Sequence, residues 1–368
     1  MATIFTKNKE SEKQKGDMEV TVKDQIGEIK AYIEDAGFSY DGNMIEKFYL
    51  SLKSKPFVIL AGTSGTGKTR LVKLFAEAIN AEYKLVSVRP DWSDSTDLFG
   101  HVDLNRRFVP GAIIDFVKQA ELNPEKPYFI CLDEMNLARV EYYMSDILSA
   151  IETRRFEDGK AVTEPIAVNY GGDDAAAGRY GKVILPDNLY IVGTVNMDET
   201  TFPFSKKVLD RANTIEFSYV DLLALPSFSK KKAESISVAN DFLASKYITL
   251  NDCDAADKDY ISGICTVLSR INGILETANA HIGYRIRDEI VFYMLNNRKI
   301  GLMSENEAFD DQLMQKILPR IQGSSESIKG MLEELMKICD GEKYEASAKK
   351  INFMIKRYNE DGFTSYWL

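Results

Sequence analysis

The chain has 368 residues, 45% of them hydrophobic and 28% charged, and its 46 Lys and Arg against 56 Asp and Glu leave a net charge of −10. That hydrophobic share excludes a disordered chain, the length asks for two or three domains, and the acidic sum excludes a surface that grips phosphate backbones throughout. No apolar run nears the roughly 20 residues of a membrane helix. Cys131, Cys253, Cys265 and Cys339 are scattered without a CxxC pair, and only His101 and His281 are available to complete a metal site. The reading is a cytoplasmic protein with reduced thiols, no structural zinc and no membrane span.

Residues 1–17 are rich in Lys and Glu, lack an apolar signal region and read as a flexible tail. Over 18–55, Ile26, Ile29 and Ile33 and then Ile45, Phe48, Tyr49 and Leu52 recur at helical spacing, which predicts two amphipathic helices broken at Asp41-Gly42-Asn43. From 56 to 219 short apolar runs alternate with helical patterns. Phe57–Ala61, Tyr83–Val88, Tyr128–Leu132 and Leu189–Thr194 read as buried parallel strands, with Thr69–Ala81, Ile113–Ala120 and Tyr142–Thr153 as crossover helices. Asp97–Gly111 reads as a hairpin turning near Asn105, with Arg106 and Arg107 at its tip. Ala161–Gly181 and Lys230–Lys232 are the linker candidates. Beyond 220 the pattern is helical, in Ala256–Thr277, Ile286–Leu295 and Asp310–Ile317. Residues 321–368 continue as an amphipathic extension, Ile328–Tyr358, closed by an aromatic tail, Phe363 to Trp367, suited to docking.

Gly62-Thr63-Ser64-Gly65-Thr66-Gly67-Lys68-Thr69 fits GxxxxGK[ST] between a strand and a helix, the setting that motif needs. The glycines let successive N–H groups turn around a phosphate, and the helix adds its positive end. Lys68 is placed for the β- and γ-phosphates and Thr69 for Mg²⁺. The apolar run Tyr128–Leu132 ends in Asp133 and Glu134: Asp133 reads as the Mg²⁺ holder and Glu134 as the residue that activates water. Cys131 in the same run reads as a small buried hydrophobe. Asn196, at the end of Tyr190–Val195, is either a sensor of the γ-phosphate and lytic water or an ordinary turn residue.

These ordered parts, with the wording Leu132-Asp133-Glu134-Met135-Asn136-Leu137-Ala138-Arg139, Gly193-Thr194-Val195-Asn196-Met197-Asp198 and Phe202-Pro203-Phe204 through Asp210-Arg211-Ala212, resemble the McrB group of AAA+ nucleoside triphosphatases. The resemblance extends over residues 20–368. It implies a P-loop AAA+ parallel sheet domain followed by an α-helical lid and a helical C-terminal extension, assembled as a homo-oligomeric ring, a hexamer, with each nucleotide between two subunits. Arg211 matches the arginine that completes a neighbour's site; from the residues alone it is a surface ion pair with Asp210 or Glu216. In the lid, Arg287, with Arg285 as its competitor, matches the sensor arginine, and His281 reads as packing or capping. The hairpin resembles an insertion of the MoxR and McrB branch. The implied partners are an McrC-like nuclease subunit and, through the complex, DNA; the alternatives are a MoxR-like chaperone acting on proteins and a structural ring with little turnover.

The stretch Asn196-Met197-Asp198-Glu199-Thr200-Thr201 departs from the Asn-x-x-Asp-Arg segment of GTP-hydrolysing members, so ATP and GTP both stand as substrates. Residues 1–55 make a small platform for reading modified DNA. No nuclease motif in the expected order occurs, which assigns cleavage to another chain.

Overall fold

The computed structural model describes residues 20–197, 202–217, 220, 222, 233–339 and 343–367. The expected tail at 1–17, the departing residues 198–201, the boundary at 219 and the Lys230–Lys232 linker lie outside the described residues. Two helices come first, α1 (Val22–Asp35) and α2 (Met44–Ser54). Thr21 starts α1 through a capping box, its hydroxyl accepting from Asp24 N at 3.2 Å while Thr21 N donates to the Asp24 carboxylate at 3.0 Å.

The α/β body runs β1 (Phe57–Gly62), α3 (Lys68–Ala78), β2 (Glu82–Ser87), α4 (Thr96–Phe99), β3 (Gly100–Val102), β4 (Phe108–Pro110), α5 (Ile114–Leu122) and β5 (Tyr128–Asp133). It continues through α6 (Val140–Tyr143), α7 (Ser145–Glu152), β6 (Arg155–Glu157), β7 (Lys160–Val162), α8 (Asp174–Tyr180), β8 (Leu189–Asn196), α9 (Lys206–Leu209) and β9 (Asn213–Phe217). Five strands form a parallel sheet in the order β2-β5-β8-β1-β9. Side chains alternate across it: Val58 and Leu60 pack with Leu71, Val72 and Phe75 of α3, whereas Phe57, Ile59 and Ala61 pack with Val117 of α5 and Ile147 of α7. Helices on both faces explain why every residue of β1 is buried.

Two expectations change. Among the described residues β2 has one neighbour, β5, and Leu85 within it is 48% exposed, so this strand is a sheet edge rather than a buried strand. The stretch Ala161–Gly181 is no linker. It holds β7, paired with β6 in a hairpin, and α8, whose Tyr180 is buried against Phe108. The hairpin expected over Asp97–Gly111 is β3 and β4, with Asn105, Arg106 and Arg107 exposed at its turn.

After β9 the chain is helical: α10 (Lys258–Glu276), α11 (Tyr284–Ile300) and α12 (Glu305–Gln312). The helix then widens into a π-type turn, Leu313–Ile317, and tightens over Leu318–Arg320. A short strand, β10 (Gln322–Gly323), precedes α13 (Glu326–Ile338) and α14 (Glu345–Asp361), and pairs with β11 (Thr364–Ser365). Apolar residues of α10, α11, α13 and α14 share one core with α1, α2 and the α3 face of the sheet. The aromatic tail docks as its composition suggests, with Trp367 Nε1 donating to Pro319 O at 3.1 Å and its ring 6.1 Å from that of Phe204. Among the described residues no helix is long and apolar enough to cross a membrane.

Candidate nucleotide site

β1 delivers the glycine-rich loop to the C-terminal edge of the sheet, where Gly62 lies between Asn196 of β8 and Phe217 of β9. A Cβ on Gly62 would sit 1.9 Å from Phe217 O, so only glycine lets the strands close there. Gly65 and Gly67 have φ of 79° and 91°, left-handed values that turn the loop into α3. Lys68 is buried, its Nζ donating to Gly62 O at 3.0 Å and Thr63 O at 2.6 Å. The connector between α1 and α2 lies against this loop. Tyr40 OH donates to Gly67 O at 3.0 Å, its ring meets Phe217 edge-on, and the Arg70 guanidinium stands 5.1 Å over Phe38.

β5 brings its two carboxylates to the same edge. Asp133 Oδ1 accepts from Thr69 Oγ1 at 2.6 Å and from Thr194 Oγ1 at 2.8 Å. Glu134 follows in a left-handed conformation, φ 52° and ψ 49°, a geometry that costs a non-glycine residue about 1–2 kcal/mol. Its N–H donates to Thr194 Oγ1 at 3.1 Å, and its Oε1 accepts from Asn196 Nδ2 at 3.0 Å. Strain held by specific bonds beside a phosphate loop is what a site residue aimed out of its strand would require. Thr194, to which the sequence pattern assigned no role, holds both Asp133 and the Glu134 backbone. Its signal was the alternation of β8, which turns Thr194 and Asn196 to one face. Cys131 is fully buried, and that burial pushes its thiol up to about 12, as the hydrophobe reading expects.

Thr69 and Asp133 offer Mg²⁺ a hydroxyl and a carboxylate that already converge, and hard oxygen donors of this kind fit that ion. Among the described residues no group of three or more His, Cys, Asp or Glu could hold a metal. Two protein oxygens suit an ion whose remaining ligands are phosphate and water.

The arginines lie at the other edge. Arg211 precedes β9, whose Asn213 pairs with Val58 near the start of β1, four residues or about 13 Å of strand from Gly62. It does not pair with Asp210 or Glu216. Its guanidinium is ion-paired with Glu152 at the end of α7 and donates to Leu148 O at 3.2 Å and Lys207 O at 2.6 Å. Asp210 instead pairs with Arg320, and Glu216 with Lys350. Arg285 reaches the same Glu152 at 2.5 Å, whereas Arg287 pairs with its neighbour Asp288 and stacks over Tyr284. Arg285 thus shares an ion-pair partner with Arg211, and Arg287, the residue favoured as lid sensor, does not. His281 neither packs nor caps: its side chain is exposed, and its carbonyl accepts from Arg320.

Residues 57–212 match the family described as the AAA domain of the dynein-related subfamily, and residues 232–363 match a domain of unknown function, DUF8727. The chain is 24% identical over 289 residues to the type IV methyl-directed restriction enzyme EcoKMcrB subunit of Escherichia coli K12, a match covering 76% of this chain and 56% of that one. It is 27% identical over 203 residues to the Lon protease of Lachnoclostridium phytofermentans, covering 53% of this chain and 20% of that one. The matches therefore span little more than half of the first relative and a fifth of the second. A solved structure from Cytophaga hutchinsonii, described as a candidate ATPase, is 15% identical with a TM-score of 0.47, covering 81% of this chain and 84% of that one.

Proposed function

From a chain whose residues 57–212 match the AAA domain of the dynein-related subfamily, we propose a Mg²⁺-dependent nucleoside triphosphatase that works as a homohexameric ring and powers an McrBC-like restriction complex. The observation that carries the chemistry is the chain of bonds from Thr69 through Asp133 and Thr194 to Glu134 and Asn196. In this reading the loop N–H groups of Gly62 to Thr66 cradle the phosphates, and Lys68 turns from the loop carbonyls to the β- and γ-phosphates. Thr69 and Asp133 hold Mg²⁺, which supplies neutralisation of phosphate charge when bound. Glu134 takes a proton from the attacking water, and Asn196, bonded to its carboxylate, fixes the direction of that transfer.

Arg211 acts on a neighbour's nucleotide. Its place two residues before Asn213, whose partner Val58 is itself about 13 Å of strand from Gly62, supports this reading, because no rotation of one side chain spans that distance. Arg285 shares its anchor and is assigned the same direction. The similarity to a restriction enzyme subunit supports a DNA-directed motor, with cleavage delegated to an McrC-like partner. The similarity to Lon proteases supports the alternative of a motor acting on proteins.

Glu134→Gln is expected to bind nucleotide with unchanged affinity while turnover falls by about 10² or more. Unchanged turnover would remove Glu134 from the mechanism. The assay compares ATP with GTP, each with and without methylated DNA. Stimulation by DNA supports the restriction reading, and stimulation by a protein substrate alone overturns it in favour of the chaperone.

A further inference from the structure

Asp210, Arg211, Ala212 and Asn213 lead into β9, and four different parts of the molecule grip them one by one. Asp210 is ion-paired with Arg320 at 2.9 Å, and Arg211 is held by Glu152 and two carbonyls. Ala212 O accepts from Lys316 Nζ at 2.6 Å, and Asn213 Nδ2 donates to Ser51 O at 2.8 Å. The third grip is the unusual one. The Lys316 side chain has 0% exposure, and its ammonium is also paired with Glu289 of α11, whose other oxygen takes Lys55 from the end of α2.

Stability does not explain a lysine there. Removing an ammonium from water costs several kcal/mol, and a well-packed apolar residue of similar volume usually serves a core as well or better. What the lysine supplies is direction: a charged donor aimed at one carbonyl beside Arg211. Its placement depends on a second irregularity, because Lys316 lies in the π-type turn Leu313–Ile317, which closes by Leu318 N donating to Leu313 O. Such turns shift the register of a helix and recur at functional sites.

The route leads back to the lid helix. Glu289 stands four residues after Arg285, so both occupy one face of α11. Arg285 reaches the Arg211 guanidinium through Glu152, and Glu289 reaches the carbonyl of Ala212, the residue after Arg211, through Lys316. One face of one helix thus holds both the head of the arginine and the backbone carbonyl that follows it. We propose that Lys316 and Glu289 are positioning residues that transmit the placement of α11 to Arg211, and so set how well one subunit completes the nucleotide site of the next. This rests on the reading of Arg211 as acting between subunits.

The test uses the full-length chain. Lys316→Met is expected to fold, to bind nucleotide at its own loop within about twofold of the parent affinity, and to lose about tenfold or more in kcat, since small misplacements of a reacting group carry losses of that order. Mixed with an excess of Glu134→Gln chains, whose Arg211 is correctly held, it should recover most of the lost turnover per competent subunit. Arg211→Ala, mixed in the same way, is the parallel arm. If Arg211→Ala is not rescued, Arg211 does not act between subunits and the positioning proposal falls with that reading. If Arg211→Ala is rescued but Lys316→Met keeps parent kcat, or loses it without rescue, only the positioning proposal is overturned. Should Lys316→Met not fold, Glu289→Gln is held to the same loss and the same rescue.

Discussion

The two edges of the central sheet are built on opposite plans. At the C-terminal edge a strained glutamate, an aspartate, two threonines and an asparagine are joined by neutral and singly charged hydrogen bonds around a loop of backbone N–H groups. At the N-terminal edge the ion-pair network is dominated by cations: Lys55, Arg211, Arg285, Lys316 and Arg320 against Glu152, Asp210 and Glu289. In a chain of net charge −10 this is a local excess of positive charge, and it sits at the end away from the phosphate loop. The difference teaches that the phosphate loop with its metal acceptors and the guanidinium groups of Arg211 and Arg285 are divided along the strands. A second copy of the chain is the simplest object that would bring them together.

The sharpest way to break this comparison is Arg211→Ala. Because the arginine is held at the donor edge, kcat should fall by about 10³, within the range such arginines supply, while nucleotide affinity at the phosphate loop stays near the parent value. A loss of affinity with kcat preserved would place Arg211 at its own site and merge the two edges.

Acid should separate the edges next. Burial works to raise the Glu289 pKa, but Lys316 and Lys55 outweigh it and hold the carboxyl below its ordinary value of 4.5. A depressed carboxyl contributes stability above the unfolded value that is lost as pH falls through the folded one. Thermal unfolding measured below about pH 4.5 should therefore weaken more steeply in the parent than in Glu289→Gln. Parallel curves for the two would mean the network adds no charge-dependent stability.

The smallest effect belongs to Tyr40→Phe. It removes the hydroxyl bonded to Gly67 O and keeps the ring on Phe217. With about 1 kcal/mol at stake, nucleotide binding by titration should weaken roughly fivefold, with kcat little changed. An unchanged dissociation constant would free the phosphate loop from the helical connector.

The phosphate loop is legible in the sequence because its function lies in eight consecutive residues between a strand and a helix. Asp133 and Glu134 are legible for a related reason: an apolar run that stops at two carboxylates marks a strand end. Tyr40 is not, since it meets Gly67 from 27 residues upstream through a loop with no pattern of its own. Which of Arg285 and Arg287 meets Glu152 is equally closed to the sequence. Two residues on one helix differ by about 200° of rotation, and only packing shows which way each points. β2 misleads because its Val, Leu and Tyr are what a central strand carries, and nothing in its own residues says it has one neighbour.

Residue chemistry and short spacings by themselves determined the α/β class, the phosphate loop and the carboxylate pair. Such features depend on backbone turns and hydrogen bonds closed within a few residues. Strand order, the grip of Thr194 on the Asp133 carboxylate and the Glu134 backbone, and the gathering of Arg211, Arg285 and Lys316 at the far edge were decided only by the tertiary structure. Those contacts join residues tens to hundreds of positions apart, and it is burial of a shared core that brings such residues together.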